Sequence, residues 1–245
     1  CLLHEKYQIP HIMHVREFGT EDFDCWIYKR NYYKYLNKQC NAILAVSNAV
    51  RDSWIKKGIN EKLIRTVYDG VDFSSFQVKN NYNIDIRNLR LVITGGVCDA
   101  KGQHLAIEAI SLLPKNIKNN ITLDIIGWQD EKYMVLLNKM VDEYGLMDQV
   151  HFWGARTDIY KLLCSYDIGL MCSRMEGFGR ATAEYMYVGL GVIAADTGAS
   201  PELIKHEENG LIYARNDAQE LSNKILLYYN HPELIEQYGE KAHED

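Results

Sequence analysis

No two of the six cysteines in this sequence stand at C-x-x-C spacing; they are Cys1, Cys25, Cys40, Cys98, Cys164 and Cys172. The histidines complete no zinc pattern with them, so no metal site is expected. What remains is a set of buried free thiols in a reducing compartment. No apolar run approaches the roughly 18 residues of a membrane span, and no signal peptide is visible. These absences lead us to expect a cytoplasmic protein. Positive charge is not in excess either, since the formal net charge is −6. Proteins that bind nucleic acid present strong basic patches, so nucleic acid is not an expected partner.

Apolar residues are plentiful, at 47% of the chain, enough for a sizeable core. The 245 residues allow one large domain or two modest ones. The sequence starts on Cys1, and its last residues, ELIEQYGEKAHED, form a helical pattern without a cap. It therefore reads as a fragment or a trimmed chain.

Residues 9–15, IPHIMHV, read as a short strand, and residues 28–40 as a helix. AILAVS is a buried strand that turns at Ser47-Asn48, a helix cap, and the helix over 49–58 ends at Gly58. A second short strand over 63–72 closes on the turn signal Asp69-Gly70. Residues 73–88 are polar, with little periodicity, and read as a linker. Strict alternation follows. Strands are expected at 89–97, 121–128, 149–154, 167–173, 191–196 and 209–214, and helices at 102–113, 131–145, 157–166, 180–189, 200–207 and 217–231. Strands alternating with helices mean parallel strands joined by crossovers. The expected fold class is α/β, with a doubly wound sheet of about six strands. Residues 1–72 and 89–231 are the two expected domains, and 232–245 start a C-terminal helix. Ligands of such sheets bind beyond the carboxyl ends of the strands. Gly95-Gly96, Gly127, Gly154 and residues 173–176 all fall at those ends.

The stretch SRMEGFGRATAE, residues 173–184, is the most informative. Two carboxylates, Glu176 and Glu184, are separated by seven intervening residues, with Gly177-Phe178-Gly179 after the first. Glycines let backbone amides approach a phosphate, a helix N-terminus favours its charge, and carboxylates accept hydrogen bonds from sugar hydroxyls. The turn TGGVCDAKGQ, residues 94–103, is neither G-x-G-x-x-G nor a P-loop, because Lys101 precedes Gly102. Lys101 is either a cation facing the crevice, able to stabilise a leaving diphosphate, or a solvated lysine at a turn. Arg30, Lys34 and Lys38 recur four apart beside tyrosines. They form either a solvated helix face or a membrane-surface helix for a lipid-linked acceptor.

From Gly95 to Tyr213 the chain resembles the C-terminal domain of the GT-B fold glycosyltransferases of family GT4, retaining enzymes also known as glycosyl transferases group 1. The matching pieces are GGVCDAKG, IIGW, FWGARTDIYKLL, SYDIGLMCSRMEGFGRATAEYMYVGLGVIAADTGASPELI and NGLIY. AILAVSNAVRDSW and TVYDGVDFSSF resemble the end of the N-terminal domain and the entry to the linker. The resemblance implies a GT-B fold, with a complete C-terminal Rossmann-like parallel-sheet domain and a partial N-terminal Rossmann-like, acceptor-side one. It implies transfer from a nucleotide diphosphate sugar, a UDP- or GDP-sugar, to a hydroxyl of a glycan or lipid-linked acceptor. No metal is obligatory, no D-x-D motif is evident, and peripheral contact at the inner membrane face is compatible with the acceptor.

The family's residue roles carry over one by one. Glu184 would bind the ribose and Glu176 the transferred sugar. The amides around Gly177, Phe178 and Gly179 would approach sugar and phosphate. Lys101 would bind the diphosphate, and the backbone at Ala155 and Arg156 would lie near the base. On the acceptor side the candidates are His14, Arg16 and Glu17, with a core histidine and a surface ion pair as the plain alternative. Three departures stand out. Gly96 occupies a position that is often arginine, and Arg180 is the candidate replacement. Gly191 stands where proline is usual, and Tyr68-Asp69-Gly70-Val71-Asp72 where Pro-Asn-Gly is. Two other readings share the fold or the site: a sugar-nucleotide epimerase, and a non-catalytic nucleotide-sugar-binding module or inactive partner subunit.

Overall fold

The computed structural model describes residues 6–7, 9–19 and 32–245. Cys1, Cys25, Lys29 and Arg30 lie outside the described residues, as do the first turns of the helix expected over 28–40. The chain divides into two compact units. One comprises Cys1–Gly70 with Met175–Gly179, and the other Val71–Arg174 with Arg180–Asp245.

In the first unit, β1 (Ile12–Val15), β2 (Ala42–Ala45) and β3 (Ile64–Thr66) form a parallel sheet in the order β1-β2-β3. Helices α1 (Tyr32–Gln39) and α2 (Asn48–Lys56) cross over between them. Ser47 caps α2 by accepting the Val50 N–H at 3.1 Å, as the turn after AILAVS predicts. Val50 and Trp54, one turn apart, then face Val15, Ile43 and Leu36 in the core of this unit. The buried Trp54 indole donates to the Glu17 carbonyl at 2.8 Å, which ties the chain after β1 to α2.

The second unit holds a six-stranded sheet, all parallel, in the order β6-β5-β4-β7-β8-β9. Its strands are β4 (Leu89–Thr94), β5 (Ile121–Ile126), β6 (Val150–Gly154), β7 (Ile168–Met171), β8 (Gly191–Ala195) and β9 (Leu211–Tyr213). Every residue of β7 and β8 is buried. Central strands covered on both faces lose polar alternation, so their sequences read as continuous apolar runs. The helices are α3 (Gln103–Ser111), α4 (Lys115–Lys118), α5 (Glu131–Tyr144), α6 (Ile159–Leu162), α7 (Arg180–Val188), α8 (Ser200–Leu203), α9 (Ala218–Asn230) and α10 (Glu233–Glu244). Asp130 and Asp217 cap α5 and α9 through their carboxylates. Leu91, Ile107, Leu123 and Leu137 fill one side of the sheet, and Val92, Leu163, Tyr185 and Leu190 the other.

Two segments differ from expectation. The helix expected over 157–166 is only one α turn, followed by a 3₁₀ turn, Leu163–Ser165. Asp158 makes no cap, because its carboxylate pairs with Arg156, and the Ser165 hydroxyl bonds back to the Leu162 carbonyl at 2.8 Å. Residues 73–88 are anchored onto the second unit by side chains. Phe73 stacks on Tyr187 with ring centroids 4.2 Å apart, and the Tyr82 hydroxyl donates to the Gly189 carbonyl at 2.9 Å. Lys79 pairs with Asp167 at 2.9 Å, both side chains nearly buried at 7% and 12% exposure. Anchors of this kind have no helical or strand period, which is why the segment reads as a linker.

Removing one member of a buried ion pair leaves the other uncompensated, at a cost of about 3–5 kcal/mol. Asp167 also accepts the Arg90 N–H at 3.0 Å, so part of its compensation survives. Lys79→Ala should therefore cost about 3 kcal/mol in urea unfolding followed by circular dichroism. A loss below about 1 kcal/mol, the size of an exposed pair, would show that Lys79 does not anchor the segment.

Candidate functional site

The order of the second sheet reverses at β4, with β5 and β6 on one side and β7, β8 and β9 on the other. Ligands of doubly wound sheets sit outside the carboxyl ends of the strands at this switch point. Backbone makes the floor there. A Cβ on Gly127, after β5, would lie 1.7 Å from the Gly95 carbonyl oxygen after β4, so the two main chains touch. The Gly95 N–H donates to Ile126 and the Gly127 N–H to Gly154, each at 2.9 Å, linking three adjacent strand ends. Gly102 has φ +68°, and its Cβ would lie 2.2 Å from the Cys172 carbonyl after β7. The turn carrying Gly95, Gly96 and Lys101 is thus closed against β5 on one side and β7 on the other.

Gln103, fully buried at the start of α3, donates to the Gly96 carbonyl at 2.9 Å and holds the turn. Lys101 ends the short 3₁₀ turn Asp99–Lys101 and is half-buried. The buried Tyr185 on α7 joins the end of β4 to that helix. Its hydroxyl accepts the Thr94 N–H at 2.7 Å and lies 2.9 Å from the Thr94 hydroxyl. Gly169 of β7 gives the Tyr185 ring its room, since a Cβ there would sit 2.4 Å from the ring.

Glu184 precedes Tyr185 on α7, its side chain 16% exposed. Burial raises its pKa, and Arg180, one turn earlier at 4.0 Å, partly offsets that. Gly95, Gly96, Lys101 and Gly127 thus follow the ends of β4 and β5, and Arg180 and Glu184 lie on α7, which Tyr185 joins to the end of β4. Ala155 and Arg156 follow β6. The Arg156 side chain turns back on Asp158 at 2.7 Å and lies over the Trp153 ring at 5.8 Å.

Glu176, Gly177, Phe178 and Gly179 fall in the segment grouped with the first unit. A Cβ on Gly177 would lie 2.3 Å from the Arg16 carbonyl oxygen. The Phe178 ring centroid is 6.2 Å from that of Tyr68, and Met175 and Phe178 pack on the first unit's core. His14 lies within β1, exposed, whereas Arg16 follows the strand end and pairs in two-pronged fashion with Asp69. The Asp69 side chain is almost buried, at 9% exposure. Sequence reasoning named Arg16 without this partner, and missed Gln103 and Tyr185. Among the described residues, no group of three or more His, Cys, Asp or Glu side chains could hold a metal ion, and no helix is long and apolar enough to cross a membrane. The cysteines described, Cys40, Cys98, Cys164 and Cys172, are free thiols.

The family model described as Glycosyl transferases group 1 matches residues 78–245. Over its whole length the chain is 25% identical to an uncharacterized glycosyltransferase of Methanocaldococcus jannaschii, covering 65% of that protein. It is 29% identical to the lipopolysaccharide core biosynthesis mannosyltransferase LpcC of Rhizobium leguminosarum bv. viciae, over 86% of this chain and 60% of that one. The chain spans 57% to 65% of the length of three such curated relatives. Among solved structures it resembles Anabaena HepE, crystallised with UDP and glucose, at a TM-score of 0.87 and 23% identity, covering 99% of this chain and 68% of HepE. It also resembles WaaG, a glycosyltransferase of lipopolysaccharide biosynthesis, at a TM-score of 0.79 and 17% identity, covering 96% of this chain and 70% of WaaG. The fold is of the GT-B type.

A carboxyl whose folded pKa is raised holds its proton more tightly folded than unfolded. Its contribution to stability is fully present below the unfolded pKa and is lost as pH rises through the folded value. Glu184→Gln should remove that loss, so the variant melts higher than wild type at neutral pH, by about 2 °C, with the advantage vanishing on acidification toward about pH 4. A lower melting temperature at pH 7 would mean that the charged Glu184 stabilises the ligand-free fold.

Proposed function

The chain belongs to the glycosyl transferases group 1 family, and on that premise we propose that its protein is a retaining glycosyltransferase. It moves a sugar from a nucleotide diphosphate sugar to a hydroxyl of a glycan or lipid-linked acceptor in cell-surface polysaccharide synthesis. The HepE complex with UDP and glucose makes a uridine donor the leading choice, with a guanosine donor beside it. The names of LpcC and WaaG support the polysaccharide assignment.

The observation that supports this reading is the contact between Gly95 and Gly127 at the switch point, in the turn that also carries Lys101. A diphosphate needs close backbone approach and a nearby cation, and a ribose needs an acceptor for its hydroxyls. In this proposal Glu184 accepts hydrogen bonds from the ribose, which favour its charged form and oppose the effect of burial. Lys101, with Arg180, neutralises the diphosphate. Ala155 and Arg156 adjoin the base. Glu176 and the amides of Gly177, Phe178 and Gly179 address the transferred sugar. Residues 89–231 are the donor-binding part and residues 1–72 the acceptor side, with His14 as the candidate there.

In the proposed reaction the acceptor oxygen bonds to the anomeric carbon on the face from which the diphosphate departs. The bond from that carbon to the diphosphate oxygen breaks, and the acceptor proton passes to the leaving phosphate. The new glycosidic bond keeps the donor's configuration. No second carboxylate of the glycosidase kind is required; the protein supplies positioning and stabilisation of the charge that gathers on the diphosphate.

A thermal-shift screen of UDP, GDP and ADP, with and without their common sugars, tests the reading. A ligand at a hundred times its Kd stabilises by about 2.7 kcal/mol, so the melting temperature should rise by several degrees with one uridine or guanosine diphosphate. No shift with any nucleotide, confirmed by calorimetry, would contradict donor binding by this chain and favour the non-catalytic reading.

A further inference from the structure

Arg174 has no role in the reading so far, yet it stands at the switch point. It is the third residue beyond the end of β7, the strand beside β4 where the order reverses. Its main chain is held from two sides. The N–H donates to the Ala100 carbonyl at 3.0 Å, and the carbonyl accepts the Thr197 hydroxyl at 2.7 Å. These bonds fix where the side chain starts. The side chain itself is half exposed, and its Nη2 lies 2.7 Å from Asp99 Oδ2, which is 60% exposed.

Asp99 opens the same short turn that ends at Lys101. The guanidinium is therefore kept beside the Gly-rich turn by a carboxylate that is itself open to water. Its charge also reaches the first turn of α3. Burial pushes the His104 imidazole down, Asp99 and Glu108 pull it back up, and Arg174 adds a smaller push down. A guanidinium carries five N–H donors in a planar fork, which matches the oxygens of a phosphate two at a time. One solvent-exposed carboxylate occupies only part of that capacity, and exposed pairs of this kind exchange partners at little cost.

We propose that Arg174 is a diphosphate-binding residue of the donor site. In the free protein Asp99 holds the guanidinium over the turn; on donor binding the phosphate oxygens replace Asp99 as its partner. This rests on the donor reading above. It assigns a second cation, beside Lys101, to the turn side of the diphosphate; Arg180 pairs instead with Glu184 one helical turn away. Arg174 lies outside the Gly-rich turn, on a different strand end, two residues before Glu176.

The test compares wild type, Arg174→Ala and Arg174→Lys in this chain. Calorimetry measures the affinity of whichever of UDP and GDP the wild type binds, and ligand-observed NMR that of the matching nucleoside without phosphates. Loss of a charge-assisted contact should weaken the diphosphate about ten- to hundredfold in Arg174→Ala. Nucleoside affinity and melting temperature should stay at wild-type values, and Arg174→Lys should recover part of the loss. Unchanged diphosphate affinity in Arg174→Ala overturns the assignment while leaving the donor reading intact. A parallel loss of nucleoside binding also overturns it, by showing that Arg174 shapes the loop instead of contacting phosphate. A wild type that binds neither diphosphate sinks the donor reading, and this inference with it.

Discussion

The touching main chains of Gly95 and Gly127 are the constraint on which the rest of the second unit depends. The two parallel strands can end this close only because Gly127 carries no Cβ, since one there would sit 1.7 Å from the Gly95 carbonyl oxygen. The contact forces the turn after β4 to run flat across the end of β5. Gly102 then brings the same turn against the Cys172 carbonyl after β7. The Gly95 and Gly127 N–H groups donate to the neighbouring strand ends at 2.9 Å, so the close approach there is main chain against main chain.

The same constraint explains how α7 is held. Tyr185 is buried with its hydroxyl on Thr94, the last residue of β4, so this side chain ties the helix bearing Glu184 to the strand end where the Gly-rich turn begins. Its ring fits only because Gly169 leaves room in β7. Glu184 is carried along into a largely enclosed position, where burial opposes its charge. A carboxylate placed at such a cost in the ligand-free state is what a site that recognises hydroxyl groups requires, because the ligand supplies the missing donors.

Much of this was legible in the chain itself. The alternation from Leu89 to Asn230 marks a doubly wound sheet, because fully buried strands such as IGLM and GVIAA are continuous apolar runs bounded by turn residues. The glycines at 95, 96, 127 and 154 mark the strand ends, and the cap at Ser47 marks a helix start. Other features were not legible, each for a physical reason. Residues 73–88 hold on through Phe73, Lys79 and Tyr82, whose partners lie about ninety residues or more away in sequence, so no local pattern records them. The helix over 157–166 breaks because Asp158 spends its carboxylate on Arg156. Motif spacing joins Glu176 to Glu184, but packing assigns residues 175–179 to the first unit, through Arg16, Val46 and Tyr68. Spacing along a chain says which residues a family keeps together; it does not say which core a loop packs against.

The central claim is that main-chain contact at the switch point makes the donor site. The most direct measurement is the nucleotide affinity of Gly127→Ala, by calorimetry, on protein whose far-ultraviolet circular dichroism matches wild type. The added methyl must push the Gly95 turn off the end of β5. The account predicts that diphosphate affinity falls by about tenfold or more, the equivalent of one lost contact of 1.4 kcal/mol, while the secondary structure is retained. Wild-type affinity in a folded Gly127→Ala chain would contradict it.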